Sequence, residues 1–332
     1  MPIRWVDGKD GNGGDGMSPR VGDGGSLSSG YMKPTARGYA SKDPPGRSER
    51  AERPLLGIGL MLIGVTLVPL LDGCAKLLSE DYSVVQIAWG RFVFHVVWLM
   101  PLLVSSGARW WRLPALAGFQ AARGFFLVLA TVSFFFAIRY VPIPNALALL
   151  FVSPIVVALL SPRLLGEPFH WSKLCFAGVG FLGVLVILRP ATEAFEPAAF
   201  SAILAGLSYA GYVMTTRYVA PRARPLLTLF HSGVIGSVVL SLVMPAVWIQ
   251  PDLRGWVLMS LMGLFAAAGH FMIIKACEYA KASLLAPFGY AEIVSSTAMS
   301  WFLFDYWPDV WVWVGIAIIV VSGVGVSLFA KS

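Results

Sequence analysis

Asp72, Lys76, Arg91, His95, His270 and Glu292 sit inside runs that are otherwise apolar. A charge in hydrocarbon costs several kcal/mol unless it is paired or wet, so each is a candidate for a solute or ion pathway. Asp72 and Lys76 are four apart, hence on one helical face where they can pair. At about 1.5 Å per residue, Asp72 lies roughly 9 Å and Arg91 about 10 Å from the outer ends of their runs, so their depths match. Two readings follow. Either these groups form an ion pair that locks two helices, or Arg91 or Lys76 receives a carboxylate or phosphate of a solute while Asp72 holds it in place. His95, one turn beyond Arg91, extends the polar stripe or serves as an interhelical histidine. Glu292, near the middle of its run, is expected to point into a cavity or at a cation, with His270 as a neighbour at similar depth. A carboxyl held out of water there suits a proton-coupled step.

Backbone breaks point to the same interior. Pro142 and Pro144 precede Asn145, Pro154 follows Ser153, and Pro287 precedes Gly289-Tyr290. Proline frees a carbonyl in the preceding turn, which is tolerated at depth where protein or cavity water satisfies it. Asn145, Ser153 and Tyr290 therefore join the candidate pathway, with Pro154 and Pro287 as helix breaks; the alternative is a pair of packing kinks without solute contact. Trp89, Tyr209, Tyr212 and Tyr290 offer rings on which a planar solute can stack. Cys74, Cys175 and Cys277 have no disulfide or C-x-x-C spacing and read as buried small residues. The sequence implies no metal and no cofactor.

The elements that must position these residues are long and oily. Of the 332 residues, 57% are hydrophobic and only 13% charged, with a mean hydropathy of +0.72. A soluble domain carries about a quarter charged residues, so much of this surface is expected to face lipid. The net charge of +7 does not imply nucleic acid: most of the basic residues lie in the first 53 positions or between apolar runs, where they set topology. Residues 1–53, rich in Gly, Asp and Ser, are expected to be a disordered cytoplasmic tail. A membrane core takes roughly 20 helical residues to cross. Cutting at charges, prolines and turn residues gives ten spans: Leu55–Leu78, Val84–Val104, Leu116–Ile138, Ile143–Leu165, Trp171–Leu188, Ala198–Thr216, Leu226–Ile249, Trp256–Ala276, Ser283–Phe304 and Val310–Ala330. The third and fourth are joined by a tight hairpin at Arg139–Pro142. The runs are continuous rather than alternating, which excludes a β-barrel. With the tail cytoplasmic, ten basic residues of the loops and C-terminus (Arg109, Arg112, Arg163, Lys173, Arg217, Arg222, Arg224, Lys275, Lys281 and Lys331) fall inside and only Arg139, Arg189 and Arg254 outside. That bias places both termini in the cytoplasm of a multi-pass protein of the cell membrane. Trp110, Trp111, Trp171, Trp256, Trp307 and Trp311 mark helix ends as an interfacial belt.

A shift of 139 residues superimposes Gly124 on Gly263, Ala137 on Ala276 and Tyr140 on Tyr279, carries Gly166-Glu167 onto Asp305-Tyr306, and sets Ser153 opposite Glu292. One further residue of shift brings Gly183 onto Gly323. Each copy holds five helices, and an odd count forces the second copy to insert upside down relative to the first, with a site between them.

The first copy reads Arg123-Gly124 opening its third helix, then FFFAIRYVPIPNALALLFVSPIVVALLSPRLLGEP and GVGFLGVLVILRP; the second reads CEYAKASLLAPFGYAEIVSSTAMSWFLF, WPD and VGIAIIVVSGVGVSLF. These segments resemble the EamA family of the drug/metabolite transporter superfamily, as two EamA repeats over 55–189 and 196–330. LDGCAKLL and Gln86-Ile-Ala-Trp-Gly-Arg91 are similar to the subgroup of S-adenosylmethionine and riboflavin carriers. The resemblance implies ten transmembrane helices as two inverted five-helix repeats and a central cavity for a metabolite such as an amino acid or vitamin. One departure stands out. Where the second copy of the family reads F-G-E or F-G-D, this chain has Phe304-Asp305-Tyr306, so the acid of that turn is replaced by Tyr or displaced to Asp305.

The expected function is therefore secondary transport of a small organic solute across the lipid bilayer by alternating access. The alternative is a membrane-embedded enzyme or lipid-handling protein. No H-E-x-x-H, G-x-S-x-G or Walker A sequence occurs, which argues against an enzyme and against ATP hydrolysis.

Overall fold

The computed structural model describes residues 53–107, 110–111, 114, 116–165, 171–188, 197–219, 223–279, 285, 288–289 and 291–329. The N-terminal tail, Glu167, Pro287 and Tyr290 lie outside them. Twelve helices run through the described residues: α1 (Pro54–Leu78), α2 (Val84–Ser105), α3 (Ala117–Tyr140), α4 (Ile143–Leu150), α5 (Ser153–Leu165), α6 (Trp171–Leu188), α7 (Pro197–Val219), α8 (Pro225–Ser241), α9 (Met244–Val247), α10 (Leu253–Tyr279), α11 (Ala291–Phe304) and α12 (Val310–Phe329). No strand occurs among the described residues.

The expected spans recur with small shifts at their ends. Prolines open several of them: Pro54 and Pro225 stand at the first position of α1 and α8, where the missing N–H has no intrahelical acceptor anyway. Ser83 caps α2 through a side-chain bond from the Gln86 N–H. The fourth and seventh spans differ from expectation because each is interrupted. Phe151 and Val152 form a turn between α4 and α5, so Ser153-Pro154 opens a helix rather than sitting within one. Leu242 and Val243 similarly separate α8 from the single turn of α9.

Five helices are long and apolar enough to cross a membrane by length and composition: α1, α2, α3, and the segments Ala198–Val219 and Leu253–Ala276 of α7 and α10. Their outward faces carry Leu55, Phe125, Phe200, Val257 and other large apolar side chains in the open. In water such a surface would aggregate; against lipid it is the stable arrangement. Cys175 belongs to this outer surface and is exposed, unlike Cys74, which is buried as expected.

The helix pairings follow a regular scheme. The contact of α1 with α10 has a counterpart in α7 with α3, that of α2 with α10 in α8 with α3, and that of α4 with α7 in α11 with α1. In addition α2 meets α8, α4 meets α11 and α6 meets α12. Helix ends also recur at the spacing read in the sequence. Tyr140 and Tyr279 end α3 and α10, Leu165 and Phe304 end α5 and α11, and Trp171 and Val310 begin α6 and α12. Glycines let these backbones approach closely. A Cβ built on Gly183 would lie 2.8 Å from the Gly315 carbonyl oxygen, and one on Gly315 would lie 2.7 Å from that of Gly183.

Candidate functional site

Seven helices deliver polar side chains to one region inside this shell. Asp72 comes from α1, Arg91 and His95 from α2, Arg123 from α3, Tyr209 and Tyr212 from α7, Ser232 from α8, His270 from α10 and Glu292 from α11. Their electrostatic links join them into one set. Arg91 interacts with Asp72, Tyr209 and Tyr212, Asp72 with Glu292, and Tyr209 with Glu292 and Arg123. His270 interacts with both arginines and faces His95 edge-on, with ring centroids 6.3 Å apart. Asp72, Arg91, His95 and Arg123 are buried, whereas Tyr209, Tyr212, His270 and Glu292 are half-buried and keep part of their surface open.

The bonding is uneven. Arg91 donates through Nη1 to Thr131 Oγ1 and lies 4.8 Å from the Phe92 ring centroid, but its Nε has no partner. Arg123 is much better held. Its Nε donates to Thr216 Oγ1 at 2.7 Å, its Nη1 to the Thr228 carbonyl and Ser232 Oγ at 2.6 Å each, and its Nη2 to Tyr212 Oη at 2.8 Å. The guanidinium also lies 4.7 Å from the Tyr212 ring centroid. Tyr209 and Tyr212, three apart and so neighbours on one face of α7, stack at 5.6 Å with 28° between ring planes.

Several expected pairings resolve differently. Lys76 does not bond Asp72. Its Nζ donates to the Ile138 carbonyl at 2.5 Å and the Val141 carbonyl at 3.3 Å, because the last turn of α3 leaves carbonyls without intrahelical donors at the negative end of the helix dipole. Glu292 lies in the first turn of α11 rather than mid-helix, and its electrostatic partners are Asp72 and Tyr209; His270 turns to His95 instead. Depth along a span fixes height but not the direction in which a side chain points.

Lys76 instead lines a separate cavity of about 200 Å³ with Tyr140, Pro142, Ile143, Ser300, Phe304 and Tyr306. Asn145 belongs to the same end of the molecule, accepting a bond from Tyr306 Oη at 3.1 Å. This settles the departure at Phe304-Asp305-Tyr306. Asp305 has a φ of 51° and takes the left-handed position a glycine would fill after α11, and Tyr306 stands where the acid would be. Trp89 is also apart from the central set. Its Nε1 donates to Ser241 Oγ at 2.9 Å and its ring meets Trp248 edge-on at 5.5 Å. Ser153 is buried at the start of α5, and no contact among the described residues joins it to the set.

Arg123 was missed as a site residue. It stands seven positions into α3, and in the sequence it reads as part of the Arg-Gly motif that opens a helix. The available signal was its charge within an apolar span, the same signal that marked Arg91.

The set has two cationic forks, two carboxyls, two imidazoles and a stacked phenol pair, which can bind a solute that is both charged and planar. No group of three or more His, Cys, Asp or Glu side chains that could hold a metal ion occurs among the described residues. Residues 55–189 and 196–328 each match the model of the EamA-like transporter family. The chain is 27% identical over 256 residues to the S-adenosylmethionine uptake transporter of Rickettsia prowazekii, an alignment covering 77% of this chain and 86% of that protein. It is 27% identical over 258 residues to the riboflavin transporter of Brucella anthropi, covering 74% of this chain and 87% of the relative. A solved crystal structure shares the fold with a TM-score of 0.61 at 18% identity, covering 84% of this chain and 98% of that one. The chain belongs to the EamA-like transporter family, with two EamA repeats, and is a multi-pass membrane transporter of a small metabolite rather than an enzyme.

Proposed function

We propose that this chain is a secondary carrier in which two inverted five-helix repeats, 55–189 and 196–330, rock about the central polar set. The paired helix contacts and the recurring helix ends support the repeat, and the odd number of spans in each copy supplies the inversion. The charge bias of the loops favours ten spans with both termini in the cytoplasm of a cell-membrane protein. Asp72, Arg91, His95, Tyr209, Tyr212, His270 and Glu292 form the solute site; Asn145, Lys76 and Tyr306 belong to the outer end of the path.

The observation that carries this reading is the convergence of charged side chains from both copies inside a largely apolar shell. Each would be costly in oil, and together they offer a solute what water offers it. Arg91, with an unpartnered Nε, receives an anionic group of the solute, and the Tyr209–Tyr212 pair stacks on its planar part. Relatives named for S-adenosylmethionine and riboflavin transport support a heteroaromatic metabolite as the solute. Asp72 and Glu292 interact electrostatically as the two carboxyls of the set, and we take them as the groups that couple solute movement to a proton gradient.

Counterflow tests the proposal. Proteoliposomes preloaded with unlabelled S-adenosylmethionine or riboflavin are expected to accelerate entry of the same labelled solute, and an imposed proton gradient to change its rate. No acceleration by any heteroaromatic metabolite of this kind would remove the carrier reading. Unchanged pH dependence in Glu292→Gln would remove the proton coupling alone.

A further inference from the structure

The cavity beside Lys76 lies at the seam of the two EamA repeats, with α1, α3 and α4 on one side and α11 on the other. Its volume of about 200 Å³ is that of roughly seven waters at about 30 Å³ each, room enough for a small organic acid. Two of its polar groups lack what their position demands. Ser300 is 1% exposed, and its Oγ has no hydrogen-bond partner. The other hydroxyls of α11 behave differently: Ser295, Ser296 and Thr297 each donate to a carbonyl of the preceding turn, that of Glu292 or Ile293. Ser300, in the same helix, makes no such bond and lines the cavity instead. Lys76 supplies the charge. Its ammonium has three N–H donors but only two acceptors among the described residues, the neutral carbonyls of Ile138 and Val141. No carboxylate of the described residues lies within salt-bridge distance of it. Nζ lies 5.7 Å from the Phe304 ring centroid, and Phe304 is four positions from Ser300, on the same face of α11. Close packing of α1 on α11 fixes this arrangement: a Cβ on Gly73 would lie 2.7 Å from Met299 Sδ. The ammonium and the hydroxyl therefore look into one space from facing helices.

We infer that this cavity is an anion subsite apart from the central polar set, in which Lys76 and Ser300 together hold a small carboxylate. A part-buried ammonium whose only partners are neutral gains most from an oxyanion, since a charge-assisted bond is about twice as strong as a neutral one. A carboxylate has two oxygens for the two free donors, one for Lys76 Nζ and one for Ser300 Oγ. The space is far larger than a halide ion needs, and Phe304, Tyr140 and Tyr306 wall the part beyond the anionic group. Tyr306 is held in place by its bond to Asn145. The inference rests on the carrier reading and deepens it: an anion here bridges α1 of the first copy to α11 of the second, at the end of the path assigned above to the outer side. Its carboxylate has two sources, a free small acid or the solute's own carboxylate on its way in.

Sodium acetate and its neutral isostere acetamide are titrated into the full-length protein in detergent, at neutral pH and one ionic strength, with binding read from thermal stabilisation. The wild type is expected to prefer acetate by about 10-fold or more, the worth of one hydrogen bond to a charged group. Ser300→Ala removes a hydroxyl that satisfies nothing in the fold, so its melting temperature without acetate is expected not to fall, while its acetate binding weakens by about 10-fold. Lys76→Met is expected to lose the preference and Lys76→Arg to keep part of it. Ser300→Ala leaves Lys76 and its carbonyl bonds in place, so poor folding of the Lys76 variants does not spoil the test. Equal stabilisation by acetate and acetamide overturns the inference, as does acetate binding that is unchanged in Ser300→Ala. Given the preference, slower entry of labelled S-adenosylmethionine into proteoliposomes at saturating acetate assigns the subsite to the solute's own carboxylate, and unaltered entry assigns it to a free acid. Absence of preference with counterflow intact sinks the subsite alone. A preference without counterflow of any solute sinks the carrier reading and leaves the subsite standing.

Discussion

Three glycines offer a graded test of the packing that sets the distance between α10 and α2, and with it the geometry of His95 and His270. A Cβ on Gly263 would lie 2.3 Å from Phe94 Cβ, 2.6 Å from the Phe94 carbonyl carbon and 2.7 Å from the His95 nitrogen. Two of those atoms are backbone and the third is fixed to it, so no rotamer change relieves the clash. Ordinary contact begins near 3.4 Å, so Gly263→Ala must move α10 away from α2 by about 1 Å at this point. Overpacking of this kind costs about 1–3 kcal/mol, occasionally more. Alanine gains about 1 kcal/mol of helix propensity over glycine, leaving a net loss of up to about 2 kcal/mol, or up to about 8 °C in melting temperature. A Cβ on Gly73 meets Met299 Sδ at 2.7 Å and Leu303 Cδ1 at 3.2 Å, both in flexible side chains, so Gly73→Ala is expected to be close to neutral. Gly59 has nothing within 4 Å, so Gly59→Ala is expected to stabilise. The assay is thermal unfolding of the purified protein in one detergent, followed by tryptophan fluorescence, with solute binding measured alongside. Only Gly263→Ala should weaken binding, because His95 rides on the strained segment. If Gly263→Ala melts with or above Gly59→Ala, the close approach of α10 to α2 is refuted.

Other expectations concern the end of the molecule that carries the loop between α1 and α2. Gln86 is fully buried and makes a reciprocal pair with Ile249, donating to its carbonyl at 2.6 Å and accepting from its N–H at 2.9 Å; Gln86→Leu is expected to cost about 1–3 kcal/mol by removing both bonds and to raise amide exchange at Ile249, measured by mass spectrometry. Lys76→Met should lower stability by about 1–3 kcal/mol, because the Ile138 and Val141 carbonyls lose their donor, while leaving solute affinity in the binding assay unchanged; a large affinity loss would return Lys76 to the central site. Tyr82, in the loop between α1 and α2, donates to Asp252 Oδ1 at 3.1 Å. Burial first, and the Asp252 carboxylate after it, push this phenol above its ordinary value of 10.0, with the Asp252 N–H acting the other way. The folded state thus holds the proton more tightly than the unfolded chain does, so the contribution is complete below the unfolded value and is lost as alkaline pH passes the folded one. Tyr82→Phe should flatten that alkaline limb in melting experiments; an identical limb in both proteins would assign it elsewhere.

The sequence made the spans and their interior charges legible for one physical reason: hydrocarbon penalises polar groups so heavily that their absence and their presence are both signals. Trp171–Leu188 was read residue for residue, and Asp72, Arg91, His95, Tyr209, Tyr212, His270 and Glu292 do meet in one set. Partners were less legible. Lys76 shares a face with Asp72 at a spacing of four, yet the loose carbonyls at the end of α3 claim it, and no periodicity in α1 could announce what α3 leaves unpaired. Arg123 shows the complementary failure. Its four acceptors come from α7 and α8, about 90 to 110 residues away in the chain, and they are hydroxyls and a carbonyl of kinds found everywhere in membrane helices. A buried charge implies that something compensates for it, and its cost can be read from the local sequence. Which group does so depends on which faces of distant helices turn toward each other. For Arg123 those faces supply hydroxyls and a peptide carbonyl, which no local pattern in α3 could announce.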